Sequence, residues 1–282
     1  MRKIAITGSA GFVGSHLLSI LEKDNNVELI LMDIQSGIDI CDWNQIKDIK
    51  ADVFIHLANK SYVPDSYKYP LDFYNVNINS TLNILELARI NNAKLIYLSS
   101  YIYGHPQYLP IDEKHPVSAF NPYAQTKAIC ESLCEGYSRD FNMPIIIFRP
   151  FNIYGKGQNS QFLIPAIIQQ IKNNEKIVIK DDRPKRDYIH VSDVVQAICL
   201  AMDYIMKSDG LEIYNLGSGI SYSVKDVVNV LFELTNTKAD YHVSNERRPN
   251  EILDTIADVS KIKEKMNWKP EISIIEGLKQ CI

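Results

Sequence analysis

The sequence lacks the features that mark membrane, secreted and metal-binding proteins. None of its apolar runs approaches the roughly 18 residues that a membrane helix needs. The first strand-like run already begins at Ile4, so we expect no signal peptide. The five cysteines form no CxxC pair, and their odd number argues against a disulfide framework. We therefore expect reduced thiols, a cytoplasmic location and no metal site.

An excess of positive charge is also missing. The formal net charge is −4, so neither nucleic acid nor a membrane surface has general electrostatic support as a partner. The densest basic stretch, residues 183–186, is flanked by Asp181, Asp182 and Asp187, which dilute its charge. Hydrophobic residues make up 46% of the chain, which is enough for a large core without cross-links. The composition is that of an ordinary soluble globular protein.

Apolar strand patterns alternate with amphipathic helix patterns through the first half of the chain. The strand patterns cover 4–7, 29–33, 53–57, 95–99 and 145–149, and the helix patterns cover 12–23, 71–91 and 123–139. Several strands are apolar throughout, as expected when helices cover both faces of a parallel sheet. We predict an α/β fold built on a Rossmann-type, doubly wound parallel sheet.

The pattern becomes less regular after residue 155. Helix patterns at 162–172, 194–206 and 224–234, the last with Ser223 as its N-cap, surround a short strand pattern at 177–179. We predict a smaller C-terminal α/β substrate domain. Residues 1–155, joined by 187–215, would form the cofactor-binding domain, and residues 156–186 and 216–282 would form the substrate domain.

A glycine pattern follows the first strand and opens the first helix. TGSAGFVG at 7–14 places Gly8, Gly11 and Gly14 at G-x-x-G-x-x-G spacing. Such glycines let the backbone approach a pyrophosphate, which the helix N-terminus attracts. Asp33 ends the second strand, where its carboxylate can accept hydrogen bonds from ribose hydroxyls and would repel a 2′-phosphate. The pattern predicts a dinucleotide site that prefers NAD to NADP.

A third strand is expected shortly after the one that ends at Asp33. It would contain Asp39 and Ile40. Its side chains would face the adenine end of the dinucleotide.

One tyrosine of the 16 has a lysine four residues later, in NPYAQTK at 121–127. Tyr123 and Lys127 would share one face of a helix. About one tyrosine–lysine pair at this spacing is expected by chance at ordinary lysine usage. The position of the pair in the chain therefore decides whether it is functional. The pair follows a strand that ends in serines and a helix-starting Asn-Pro. Because a neighbouring ammonium favours the phenolate, we predict an acid/base pair.

These and further motifs, taken in order, resemble the extended short-chain dehydrogenase/reductase family, in particular its NAD-dependent epimerase/dehydratase group that acts on nucleotide sugars. The motifs are TGSAGFVGSHL, HLAN at 56–59, VPDS at 63–66, NVNINSTLNILELAR at 75–89, LSSYIYG at 98–104, NPYAQTK, RPFNIYG at 149–155, RDYIHVSDV at 186–194, YNLGSG at 214–219 and RRPNE at 247–251. The family usually has HLAA or HLAG where this chain has HLAN. The resemblance runs through nearly the whole chain.

The resemblance implies a role for each matching residue. The catalytic set would be Ser99 as the catalytic hydroxyl, five residues before Gly104, Tyr123 as the acid/base and Lys127 as its partner. The cofactor-binding set would be Gly8, Gly11, Phe12, Val13, Gly14, Asp33, Asp39, Ile40, Leu57, Ala58, Asn77, Tyr123 and Lys127. The substrate-binding set would be Ser100, Asn152, Arg186 and Arg248, with Arg247 as an alternative to Arg248. The implied ligands are NAD and a nucleotide-diphosphate sugar, and the implied assembly is a homodimer.

The reaction stays open among four alternatives. The 4,6-dehydratases of this group carry an acidic pair directly after the catalytic hydroxyl, where this chain has Ser100 and Tyr101, so dehydration is disfavoured. A non-catalytic NAD-binding regulator would not need the catalytic set. A C4 epimerase recycles its NAD, which agrees with the preference for NAD that Asp33 indicates. The short segment 155–165 is instead more typical of an NAD(P)H-dependent 4-ketoreductase. We expect the epimerase first and the ketoreductase second.

Overall fold

The computed structural model describes residues 1–237, 241–246 and 251–282, which form two compact units. Unit 1 contains Met1–Gly104, Pro116–Pro150 and Val195–Tyr214, and unit 2 contains His105–His115, Phe151–Val194 and Asn215–Ile282. This division differs from the expected boundaries at 105–115, 151–155 and 187–194, which all belong to unit 2. One reason is that Ile111 forms a β-bridge with Ala257.

Strands and helices follow one another in turn through most of the first half of the chain, as the sequence pattern predicted, and less regularly after it. The strands are β1 (Arg2–Thr7), β2 (Val27–Met32), β3 (Val53–His56), β4 (Lys94–Leu98), β5 (Ile145–Pro150), β6 (Asn152–Tyr154), β7 (Ile177–Ile179), β8 (Lys185–His190), β9 (Leu211–Leu216), β10 (Ser221–Ser223) and β11 (Tyr241–Val243). The helices are α1 (Phe12–Leu21), α2 (Trp43–Ile46), α3 (Val63–Lys68), α4 (Pro70–Ile90), α5 (Pro122–Phe141), α6 (Leu163–Lys172), α7 (Val191–Tyr204), α8 (Val224–Thr235), α9 (Ser260–Met266) and α10 (Ile274–Cys281).

Unit 1 is built around one sheet with the strand order β2-β1-β3-β4-β5-β9. β1 pairs in parallel with β2 and β3, β3 with β4, and β4 with β5. Its core joins Phe54, Leu95 and Ile147 of the strands to Leu85 of α4 and Cys134 of α5. The predicted doubly wound parallel sheet is confirmed. Its parallel strands bring their carboxyl ends to one edge, where dinucleotides bind in such sheets.

The third strand expected around Asp39 and Ile40 is wrong, because this segment forms turns. Asp33 caps a 3-10 turn, and Asp39 accepts a hydrogen bond from the backbone N–H of Cys41 at 2.9 Å. Ile40 is buried in the core of unit 1 instead of facing a sheet edge. Local capping by aspartates therefore competes successfully with strand pairing here.

Unit 2 contains a three-stranded sheet of order β10-β8-β6 and a parallel pair of β7 and β11. Ser223 is the N-cap of α8, and its hydroxyl accepts a hydrogen bond from the N–H of Asp226 at 3.0 Å, as predicted. Helices α6 and α8 bury Ile167, Val228 and Leu231 in a second core.

All five cysteines are free thiols. Among the residues that the structure describes, no helix has the length and apolar character needed to cross a membrane. The same residues contain no group of three or more His, Cys, Asp or Glu side chains that could hold a metal ion.

Candidate active site

The glycine pattern forms the turn between β1 and α1. Gly8 has a left-handed backbone (φ +68°), and a Cβ there would lie 2.7 Å from the backbone N of Ala58. A Cβ on Gly14 would lie 2.2 Å from the carbonyl O of Gly8. Gly11 precedes α1 and has no side chain with which to cap it. The turn is therefore bare backbone at a helix N-terminus, which fits a pyrophosphate.

Asp33 lies just after β2, next to the same glycine turn. Its carboxylate accepts hydrogen bonds from the backbone N–H groups of Ala10 at 3.1 Å and Gln35 at 2.9 Å. These bonds hold the carboxylate in place, and the residue stays partly exposed. Phe12 and Val13 follow the turn as the first residues of α1. A fixed, accessible carboxylate beside the turn fits the expected contact with ribose hydroxyls.

A buried hydrogen-bond chain ties β1 to β3 and α4. The Thr7 hydroxyl lies 2.7 Å from Nδ1 of His56 and accepts hydrogen bonds from the N–H groups of Leu57 at 3.2 Å and Ala58 at 3.1 Å. Nε2 of His56 lies 3.1 Å from the Thr81 hydroxyl. Burial lowers the pKa of His56 to about 3, so the ring is neutral. The chain holds Leu57 and Ala58 against the glycine turn.

Two asparagine side chains hydrogen-bond the loop after β3, Asn77 from α4 and Asn59 from the loop itself, and only Asn59 leaves a buried oxygen without a partner in the described part of the chain. Oδ1 of Asn77 accepts a hydrogen bond from the N–H of Lys60 at 2.8 Å, and its Nδ2 donates to the Thr126 hydroxyl at 2.9 Å. Asn77 therefore positions this loop. Nδ2 of Asn59 donates to the carbonyl O of Leu57 at 2.8 Å, whereas its buried Oδ1 has no partner among the described residues. An orphaned acceptor beside the glycine turn fits a site for a hydrogen-bonding cofactor.

The predicted acid/base pair lies in the first turns of α5. Burial raises the pKa of the Tyr123 phenol to about 12, and a hydrogen bond from the Ser100 side chain opposes that rise. Nζ of Lys127 donates to the carbonyl O of Leu98 at 2.8 Å and lies 4.7 Å from the centre of the Tyr97 ring. Burial lowers the pKa of Lys127 to about 8. The contact that favours the phenolate thus comes from Ser100, and the Lys127 ammonium contacts the end of β4.

Ser99, expected to be the catalytic hydroxyl, has a different partner. Its hydroxyl donates to Oε1 of the buried Glu131 at 2.5 Å. Glu131 forms a buried ion pair with Arg149, whose Nη2 lies 2.6 Å from Oε2. Nη1 of Arg149 donates to the Tyr103 hydroxyl at 3.0 Å. Sequence reasoning missed this network, although Glu131 lies four residues after Lys127 on the same helix, a spacing that places the two side chains together.

The structure therefore brings Ser100, and not Ser99, to Tyr123. The next residue, Tyr101, stands where dehydratases carry an acid, and its hydroxyl donates to the carbonyl O of Gly104 at 2.5 Å. With Ser100 at Tyr123, the two positions directly after this hydroxyl are Tyr101 and Ile102, and neither offers a carboxylic acid. This composition disfavours loss of a sugar hydroxyl by acid catalysis, as the sequence indicated.

The predicted substrate-binding residues beyond Ser100 lie in unit 2 or outside the described residues. Asn152 is exposed on β6. Arg186, on β8, forms an ion pair with Glu251, so its guanidinium is already engaged. Arg248 and its alternative Arg247 lie outside the residues that the structure describes.

Residues 4–217 match the family described as the NAD dependent epimerase/dehydratase family. The chain belongs to this family. A protein of Methanocaldococcus jannaschii, named provisionally as a UDP-glucose 4-epimerase, is 30% identical over 304 residues, which cover 99% of this chain and 97% of that one.

Two solved epimerase structures match nearly the whole chain. The UDP-glucose 4-epimerase of Thermotoga maritima with UDP-glucose is 28% identical with a TM-score of 0.91, and covers 99% of this chain and 96% of that one. The UDP-glucose 4-epimerase of Bifidobacterium longum in complex with NAD+ and UDP is 26% identical with a TM-score of 0.87, and the coverage is the same. These matches confirm the predicted class, an NAD-dependent nucleotide-sugar epimerase, over the ketoreductase and dehydratase alternatives.

Proposed function

We propose that this protein is a UDP-sugar 4-epimerase in which Tyr123, Ser100 and Lys127 form the catalytic set. The observation that carries the proposal is the position of the Ser100 side chain at the carboxyl end of β4, where it acts on the Tyr123 phenol and opposes the rise of its pKa, with Lys127 one helical turn later. UDP is proposed as the nucleotide because the similar enzymes are named for UDP-glucose or were solved with UDP or UDP-glucose.

Tyr123 is the group that exchanges the proton of the C4 hydroxyl. With a pKa of about 12, forming its phenolate at pH 7 requires additional stabilisation of about 7 kcal/mol. Lys127, with a pKa of about 8, is largely charged at pH 7 and can supply part of it by turning from Leu98 towards the phenol. NAD, held by the glycine turn and Asp33, would supply a positively charged nicotinamide able to accept and return a hydride.

Ser100 holds the same hydroxyl in line with the phenol. A side-chain hydroxyl can donate to one oxygen and accept from another, so Ser100 can bridge Tyr123 and the C4 oxygen. Once C4 is a carbonyl, the Ser100 hydroxyl can donate to its oxygen and stabilise developing negative charge. Return of the proton from Tyr123 then completes either epimer.

The cofactor contacts are assigned to unit 1. Backbone N–H groups of the glycine turn, with Phe12 and Val13, would take the pyrophosphate, and Asp33 the adenosine ribose. Asp39 and the backbone of Ile40 are assigned to the adenine end. Leu57 and Ala58 would line the cofactor directly, and Asn77 would keep their loop in position.

The substrate contacts are assigned to Ser100 and to residues beyond unit 1. Arginine forks match the oxygens of a diphosphate, so Arg186 and Arg248 would bind it. Arg186 would exchange its ion pair with Glu251 for this contact. Asn152, exposed on β6, would hydrogen-bond the sugar nucleotide.

A homodimer and a cytoplasmic location complete the proposal. Exposed apolar side chains on α4 and α5, among them Leu71, Ile129 and Phe141, support association through these helices. Light scattering would give twice the chain mass of 32.2 kDa, and a mass of one chain would contradict the dimer. Five free thiols suit a reducing compartment.

The deciding experiment starts with the untreated purified protein. We expect denaturation to release about one NAD per chain, because an epimerase recycles its cofactor, and we expect UDP-glucose and UDP-galactose to interconvert in the absence of added cofactor. Tyr123→Phe should lower kcat by at least about 100-fold and retain NAD. The matched control is Tyr137→Phe on the same helix, whose hydroxyl bonds Glu86. Parental turnover by Tyr123→Phe would refute the mechanism, and oxidation of NADH only with a 4-keto sugar nucleotide would establish the ketoreductase.

A further inference from the structure

Two serines follow β4, and the structure gives them different partners. Ser99 donates to Glu131 at 2.5 Å, whereas the Ser100 side chain acts on the Tyr123 phenol, whose pKa it lowers. Ser99 is only 4% exposed and Glu131 7%, so water does not compete for their bond. This division of partners decides which serine meets the reacting hydroxyl.

Glu131 is held from more than one side. Nε of Arg149 donates to both carboxylate oxygens at 3.1 Å, and Nη2 donates to Oε2 at 2.6 Å. The guanidinium of Arg149 also lies 5.0 Å from the centre of the Tyr103 ring, whose hydroxyl accepts from Nη1. Charge-assisted bonds of this kind are short and directional. The carboxylate that receives the Ser99 hydroxyl is therefore fixed.

A buried ion pair is weak evidence of a stabilising role, because apolar side chains of similar size in the same place often stabilise a fold equally or more. This pair connects α5, β5 and the segment after β4, one turn of α5 beyond Lys127. We propose that Glu131 and Arg149 are positioning residues for the reaction: Glu131, held by Arg149, binds the Ser99 hydroxyl and so fixes the turn after β4 in the position where Ser100 meets Tyr123. The inference rests on the proposed epimerase function.

The first test is Ser99→Ala, which removes the anchor and leaves every proposed catalytic group in place. We expect kcat to fall by about tenfold or more, with KM for the sugar nucleotide and the affinity for NAD unchanged. The acid limb of the kcat–pH profile should move about one unit towards alkaline pH, because Tyr123 loses part of its hydrogen bond from Ser100. A variant that is merely destabilised would melt earlier without moving that limb.

A second test removes the pair without leaving a buried charge. Glu131→Leu combined with Arg149→Met should reproduce the losses of Ser99→Ala, and adding Ser99→Ala to it should cause no further loss of kcat. The matched control is Glu86→Leu with Arg89→Met, which removes the exposed pair on α4 and should leave kcat unchanged. Parental kcat and an unmoved acid limb in Ser99→Ala would overturn the proposal, as would additive losses in the combined variant.

A separate measurement distinguishes failure of the proposed function from failure of the positioning role. If the unmodified protein converts no UDP-sugar, the function is wrong, and the positioning is then measured without substrate. The ¹³Cζ resonance of Tyr123 in tyrosine-labelled protein, assigned with Tyr123→Phe, reports its hydrogen bond to Ser100. That resonance should shift in Ser99→Ala and not in the Glu86→Leu and Arg89→Met control. An unchanged resonance in Ser99→Ala refutes the positioning role whether or not the protein is an epimerase.

Discussion

Protonation of His56 should make this protein sensitive to acid. The ring is buried between β1 and α4, and both of its nitrogens lie within hydrogen-bond distance of hydroxyls, those of Thr7 and Thr81. A doubly protonated ring would present a second N–H to Thr7, whose oxygen already accepts two backbone N–H bonds. Burial therefore lowers the pKa of His56 from 6.5 to about 3.

The sign and size of the effect follow from proton linkage. Between pH 6.5 and 3 the unfolded chain binds a proton at His56 and the folded chain does not, so the free energy of unfolding falls as the pH falls. Two pKa values separated in this way predict a loss of about 2.5 kcal/mol between pH 7.5 and 4.5, and about 4 kcal/mol by pH 3. The loss is absent above pH 7.5.

Urea unfolding followed by circular dichroism at pH 7.5 and 4.5 measures this loss. His56→Gln removes the titrating ring and should lower stability at pH 7.5 while reducing the fall towards pH 4.5 by about 2.5 kcal/mol. His242→Gln, at an exposed position on β11, is the control and should retain the full fall. Equal falls in the parent and His56→Gln would refute the argument, because carboxylates alone would then account for the acid sensitivity.

Two further predictions concern the glycines and the cofactor preference. Gly14→Ala should abolish NAD binding or folding, because its Cβ would lie 2.2 Å from the carbonyl O of Gly8. The control is Gly136→Ala on α5, whose Cβ meets no atom within 4 Å and which should raise Tm by about 2–4 °C. A stable Gly14→Ala variant that binds NAD would contradict this interpretation of the turn. Asp33→Asn removes the charge and keeps one of the two oxygens that accept backbone bonds. Calorimetry should therefore show NAD bound more weakly and NADP more tightly. Unchanged affinities would show that the charge does not set the preference.

The sheet could be predicted because its signals are local and repeated. Apolar strands such as Val53–His56, followed by glycine or serine turns and amphipathic helices, have few competing structures. The segment containing Asp39 and Ile40 was mispredicted because its aspartates cap backbone N–H groups two residues later, a choice that apolar content does not reveal. Likewise, residues 105–115 joined unit 2 through a bridge between Ile111 and Ala257, which are distant in sequence.

Residue types in the site could be predicted better than their partners. Arginine before a strand suggested a free diphosphate ligand, yet Arg186 pairs with Glu251, 65 residues away. A lysine one turn after Tyr123 suggested a contact with its phenol, yet Lys127 donates to Leu98. Both side chains are long, and their charged groups reach whichever acceptor the fold brings near, so spacing alone cannot select the partner.

The two serines after β4 could not be told apart by counting residues within the sequence motif. Counting back from Gly104 assumes a fixed loop length, but consecutive side chains at a strand end point in opposite directions, so an error of one residue exchanges the two sides. The buried Glu131 removes the ambiguity, because a carboxylate paired with Arg149 accepts the hydroxyl on its own side and leaves the next one for Tyr123. In the proposed mechanism, Ser100 is therefore selected through the bond of its neighbour Ser99 to Glu131, 32 positions away from Ser99, which only the folded chain can form.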